Sequence, residues 1–138
     1  MTRSAAGDDD PRGGRLAAVR DQLARADLDG LLITALPNVR YLTGFSGTSA
    51  LLFVSSRDCM LFTDFRYAAQ VEEELGAATS VRIEPASLWA GLWSWLAGVG
   101  GVERIGFESV HVLHRDFTRL LEQGQRWTWR PPRARTRT

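Results

Sequence analysis

A polar, glycine-punctuated motif, Asn38-Val39-Arg40-Tyr41-Leu42-Thr43-Gly44-Phe45-Ser46-Gly47, sits between apolar runs that read as buried strands. The run before it is Leu31-Leu32-Ile33-Thr34; those after it are Ala50-Leu51-Leu52-Phe53-Val54 and Cys59-Met60-Leu61-Phe62-Thr63. Short continuous apolar runs of this kind suit strands covered on both faces. Pro37 can open a helical turn because its missing N–H has no partner there. Val39 and Leu42 then share one face, and Gly44 can end the turn in a left-handed conformation. Ser55-Ser56-Arg57-Asp58 is short enough to join its flanking strands as a hairpin.

A second motif, Thr63-Asp64-Phe65-Arg66-Tyr67-Ala68-Ala69-Gln70, follows the hairpin directly. Asp64 is placed to cap a helix that buries Tyr67, Val71 and Leu75. Before both motifs, Leu16, Val19, Leu23 and Ala26 keep helical spacing, and Asp29-Gly30 turns the chain into the first strand. After them, Val81-Arg82-Ile83 alternates like a strand and Pro85 ends it. A helix from Ser87 to about Val99 is apolar or small all round, with Trp89, Trp93 and Trp95 opposite Ala90, Gly91, Ser94, Ala97 and Gly98. A helix without a charged face is covered on both sides or meets a partner. Arg104-Ile105-Gly106-Phe107-Glu108 is a further strand; Phe117, Leu120 and Leu121 mark a last helix ended by Gly124. Arg126 to Trp129 can alternate as an edge strand. The order implies an α/β domain with a mixed sheet flanked by helices.

The 138 residues fit one domain, with boundaries expected at 1–13 for a disordered N-terminal tail, 14–129 for the domain and 130–138 for an Arg/Pro-rich disordered tail. The net charge of +1 hides an asymmetry, since every acidic residue precedes Arg126 and five arginines follow from there. Such a tail could meet nucleic acid or anionic membrane. The folded part shows neither a basic face nor interleaved stacking positions, so neither partner is expected. The N-terminus lacks the apolar core of a secretory signal, and the single Cys59 excludes an internal disulfide. Cytoplasmic location is the expectation, with Cys59 a small buried hydrophobe.

The two motifs, the Asp-Gly-Leu-Leu-Ile strand and Ile-Gly-Phe-Glu, in this order and spacing, resemble the N-terminal domain of the aminopeptidase P, prolidase and creatinase family. The resemblance covers roughly residues 14–124 and implies a ribonuclease-H-like α/β fold. In that family a following catalytic domain holds two divalent metals, usually Mn, Co or Zn. That domain hydrolyses the bond before proline in short peptides. Its ligand set is not written in this chain, so no catalytic residue, metal or cofactor is expected here. His111 and His114 read as surface or capping histidines, and Glu72-Glu73-Glu74 as a solvated face.

The resemblance implies a non-catalytic domain that supplies oligomer contacts and a wall of the substrate entrance, with a truncated product as one origin. It would act as a homodimer or against its catalytic domain. Candidates for the wall are Arg40, Tyr41, Asp64, Arg66 and Tyr67, because a guanidinium fork suits a peptide carboxylate. Their alternative role is structural, as cap, ion pair and packed ring. Candidates for an interface are Trp89, Ala90, Trp93 and Ala97. Two other readings stay open: a stand-alone protein-binding module, and a parent with creatinase-like carbon–nitrogen hydrolysis.

Overall fold

The computed structural model describes residues 11–108 and 114–130. Helix α1 (Pro11–Ala26) leads into β1 (Gly30–Ile33), α2 (Leu36–Thr43), and the hairpin of β2 (Leu51–Ser55) and β3 (Cys59–Asp64). A 3-10 turn (Phe65–Tyr67) runs into α3 (Ala68–Glu74), followed by β4 (Ser80–Glu84), α4 (Leu88–Ala97), β5 (Arg104–Phe107), α5 (His114–Gln123) and β6 (Thr128–Arg130). The helix at Pro11 starts inside the stretch expected to be tail, so Pro11–Gly13 belong to the fold. The remaining tail, 1–10, and residues 131–138 lie outside the described residues.

Six strands form one sheet in the order β4-β3-β2-β1-β5-β6. β2 runs antiparallel to both neighbours, while β3 with β4, β1 with β5 and β5 with β6 are parallel. The carboxyl ends of the five like-directed strands therefore lie along one border. Along β2, Leu51 and Phe53 face one core while Leu52 and Val54 face the other. This two-sided burial is why the run carries no polar residue to alternate with.

One core joins Leu16, Val39, Leu42 and Val71 from α1, α2 and α3 to Ile33, Leu52, Val54 and Leu61. The other joins Leu92, Leu96 and Leu120 from α4 and α5 to Phe53, Phe62, Ile105, Phe107 and Trp127. Of the pair that marks the last helix, Leu120 is fully buried and Leu121 is 53% exposed. Gly30 lies under the Phe53 ring, where a Cβ would stand 2.3 Å from the ring. That close approach requires glycine at the start of β1.

α1 is pinned by arginines as well as by its apolar stripe. Arg12 donates to the carbonyls of Thr43 (2.8 Å) and Glu74 (2.7 Å), and Arg15 to that of Tyr41 (2.9 Å). Arg20 donates to the carbonyls of Ser55 (2.7 Å) and Asp58 (3.2 Å). Each guanidinium meets backbone oxygens at a helix end or turn, where carbonyls are short of backbone partners; the Asp58 carbonyl also accepts from Ser55 N.

Candidate functional site

The loop after α2 is built from its own side chains. Thr43 Oγ1 donates to the Val39 carbonyl at 2.7 Å and accepts from Phe45 N at 3.1 Å. Gly44 adopts φ +85°, the left-handed C-cap, with its N–H on the Arg40 carbonyl. The next residues are held from α3. Glu74 accepts from Ser46 N (2.8 Å) and Ser46 Oγ (2.7 Å), and Gln70 Nε2 bonds both partners. Burial pushes the Glu74 carboxyl up, yet the Ser46 and Gln70 bonds outweigh it and hold the group below its ordinary range. Glu74 thus leaves the solvated face expected for the Glu72–Glu74 run. Glu72 and Glu73 remain exposed.

The second motif meets this loop from the end of β3. Gly47 is packed by the Phe45 and Tyr67 rings, which meet edge to face at 5.4 Å between centroids. Tyr67 Oη accepts from Thr48 N at 3.2 Å and pairs with Thr48 Oγ1 at 2.7 Å. Those bonds, Thr48 Oγ1 first, lower the phenol pKa. Asp64 holds Arg66 by a fork, Nε to Oδ1 and Nη2 to Oδ2 each at 2.9 Å, and accepts from Arg66 N at 3.0 Å. The Arg66 guanidinium is the chief reason its carboxyl drops to about 2. The helix expected to start at Asp64 begins instead as the 3-10 turn Phe65–Tyr67, which Asp64 caps, and becomes α-helical from Ala68. Phe65 stands 70% exposed beside Arg66.

A third connection crosses the sheet. Glu108, past the end of β5, accepts from Thr34 N (2.7 Å), Ala35 N (3.1 Å) and Asn38 Nδ2. α2 has no cap from its own sequence, so this carboxylate caps it from another strand. Between these structures a crevice of about 450 Å3 opens at the carboxyl border, lined by Thr34, Thr48, Ser49, Trp89, Asp116 and Arg119 among others. Tyr67 borders this crevice only through its bonds to Thr48, which lines it, with Asp64 and Arg66 beyond on the same turn.

The other residues singled out from the sequence lie elsewhere. Tyr41 is 55% exposed on the α1 side, with the Arg15 guanidinium 4.2 Å from its ring centre. Arg40 is exposed and acts on Glu74 only through its charge. The five wall candidates therefore separate into Asp64, Arg66 and Tyr67 after β3 and Arg40 and Tyr41 on α2, of which Tyr41 faces α1. Trp93 stacks on Trp127 at 5.7 Å and meets Trp129 at 5.8 Å, while Trp89 lies 5.8 Å from Trp93. Trp89 and Trp93 are half-buried and packed against the domain's own aromatic core, and Ala90 and Ala97 on the same helix are exposed. His111 lies outside the described residues, as does the side chain of His114 at the start of α5. Among the described residues no three His, Cys, Asp or Glu side chains group as metal ligands. This part of the chain does not fit a two-metal centre.

A family model described as the creatinase/prolidase N-terminal domain matches residues 15–131. This chain belongs to that family. The N-terminal domain of the cytoplasmic peptidase PepQ from Mycobacterium tuberculosis is 35% identical with a TM-score of 0.73, over 88% of this chain and 92% of that one. The creatinase/prolidase-like N-terminal domain of a Corynebacterium diphtheriae metallopeptidase is 26% identical with a TM-score of 0.77, over 92% and 100%. Bacillus subtilis peptidase YqhT is 38% identical over 61 residues, 44% of this chain and 17% of that protein. The chain thus spans a small part of this relative. Within the family fold, Asn38 and Glu108 are two halves of one contact, and Ser46 and Glu74 of another. Sequence reasoning missed both acids, although Glu108 stood in the Ile-Gly-Phe-Glu strand as an unspent charge.

Proposed function

We propose that this creatinase/prolidase N-terminal domain serves a metal-dependent Xaa-Pro peptidase as its non-catalytic part. It contributes oligomer contacts and a wall of the entrance for short proline-containing peptides. The family match over residues 15–131 carries this reading. The metals, Mn, Co or Zn, and the chemistry of hydrolysis belong to another domain. The wall is the Asp64–Arg66–Tyr67 rim: Asp64 fixes one edge of the exposed guanidinium and leaves the rest turned outward for a peptide carboxylate. Arg40 and Tyr41, on α2, are the remaining candidates for this wall, with the Arg15 guanidinium over the Tyr41 ring. The oligomer contacts fall on the Ala90 and Ala97 side of α4. The proposed location is the cytoplasm, in keeping with the buried free thiol of Cys59; no described helix is long and apolar enough to cross a membrane.

The test is a chimera with residues 11–130 in place of the corresponding domain of full-length YqhT. It should hydrolyse Xaa-Pro peptides, and Arg66→Ala should raise KM with kcat little changed. An unchanged KM removes Arg66 from the wall. Chelator-sensitive turnover by this domain alone overturns its non-catalytic role.

A further inference from the structure

We propose that the crevice at the carboxyl border is itself a binding site for a small zwitterion, a free amino acid or a dipeptide with its α-ammonium and α-carboxylate both uncapped. Asp116 and Arg119 stand one turn apart on α5 and both line it. Neither forms a hydrogen bond or ion pair with another described residue. Arg119 lies over the Trp89 ring, 5.2 Å from its centre. Stacking there holds the guanidinium by its face and leaves its N–H edge to donate. The same wall thus presents an open anion acceptor and an open cation donor.

Thr34 supplies an independent observation. Its Oγ1 is buried with no hydrogen-bond partner among the described residues, and Thr34 lines the crevice. A buried hydroxyl left without such a partner beside a crevice can be completed by a small shift when a polar group enters there. The crevice volume, about 450 Å3, falls within the range of small-molecule sites. A simple anion would meet Asp116, and a simple cation would meet Arg119. An apolar ligand would leave Asp116 and Thr34 unsatisfied. A zwitterion answers both charges: its ammonium donates to Asp116, its carboxylate accepts from Arg119, and its side chain lies against Leu36 and Leu88. This site is built from described residues of the one domain and does not depend on the peptidase reading.

Amide NMR of the full chain, titrated with L-proline and with glycyl-proline, tests it. Saturable shifts at Thr34, Ser49 and the Trp89 indole N–H are expected with at least one ligand, and the tighter one identifies the ligand as amino acid or dipeptide. N-acetyl and carboxamide forms of that ligand should bind about tenfold more weakly, the loss of one charge-assisted hydrogen bond each. Arg119→Gln should weaken the zwitterion and leave the carboxamide unchanged. Absence of saturable shifts into the millimolar range overturns the proposal, as does equal binding of capped and uncapped ligands. The capped ligands need no variant, so the outcome stands even if Arg119→Gln does not fold.

Discussion

The two faces of the sheet are covered by different means. The face under α1, α2 and α3 is mostly aliphatic, with Phe45 its one fully buried ring. The face under α4 and α5 buries Phe53, Phe62, Phe107 and Trp127, with Trp89, Trp93, Trp95 and Trp129 packed partly against them. Among the described residues two helices cover this second face, and large rings make up the area a third helix would supply. The aliphatic face adds something the aromatic one largely lacks: side chains bonded to distant backbone, from Arg12, Arg15, Arg20 and Glu74. Apolar packing holds the layers together without direction, whereas hydrogen bonds fix atoms in place. The motif loop from Gly44 to Thr48 therefore takes its shape from the polar side. The strands beneath it take their stability from both.

The largest test of that division lies on β3, whose neighbours face opposite cores. Phe62→Ala should cost about 3–5 kcal/mol through lost area and the cavity left behind. Leu61→Ala, equally buried on the aliphatic side, should cost about 2–4 kcal/mol. Denaturant midpoints measure both. A larger loss for Leu61→Ala than for Phe62→Ala would break the comparison.

A smaller effect separates strain from contact at two left-handed glycines. Gly44 (φ +85°) has Arg12 Nη1 at 2.4 Å and the Glu74 carbonyl at 3.0 Å from any added Cβ, whereas Gly101 (φ +79°) has open space. Gly101→Ala should cost about 1–2 kcal/mol for the backbone conformation alone. Gly44→Ala should exceed it, because the Arg12 guanidinium must also move. Equal costs in thermal or chemical unfolding would mean that Arg12 does not fix the loop.

Much of this is legible in the sequence. Strand runs 31–34, 50–54 and 59–63 fall within a residue or two of β1, β2 and β3, because two-sided burial leaves a continuous apolar signal. The stop at Gly44 and the Asp64–Arg66 pair were readable because both are local, within a few residues of chain. The long-range bonds were not. Glu74 to Ser46 spans 28 residues and Glu108 to Asn38 spans 70, and no periodicity carries information over such distances. The tryptophans show the same limit. Sequence pattern marked Trp93 as apolar and in need of cover, but its cover, Trp127 and Trp129, comes from β6 and the residue before it, 34 residues or more away. The crevice was invisible for the same reason, since α2, the loop, α4 and α5 each contribute only part of it.

The polar side should also weaken first in acid. Asp29, held low by hydrogen bonds from the Arg104 and Glu103 amides, Glu74 and Asp64 all have folded pKa values below their unfolded ones. In the window between the two, the unfolded chain binds more protons. Their contribution is thus complete above the ordinary carboxyl range and fades as pH falls below about 4 toward about 2. All three are half-buried at the surface and still reached by solvent, so the effect is screened and modest. Urea midpoints followed against pH should fall less steeply for Glu74→Gln than for the unaltered chain. Parallel curves would show that the Ser46 bonds do not favour the charged form.

The smallest expected change in stability comes from α4, where the contrast reappears within one helix. Trp89 and Trp93 turn inward, Gly91 lies against the Glu84 carboxylate, and Ala90, Ser94, Ala97 and Gly98 face outward. Ala97 leaves no cavity when changed, so Ala97→Glu should shift stability by no more than about 0.5 kcal/mol. A charge on a strip of small residues does, however, prevent close approach of another backbone. If that strip makes the domain's oligomer contact, light scattering should show an associated species for the unaltered chain and a monomer for Ala97→Glu, with the same thermal midpoint. A monomeric unaltered chain at high concentration removes the strip as a self-contact. Unfolding by Ala97→Glu would show that this side of α4 is part of the core after all, and that the helix is covered on both faces by its own domain.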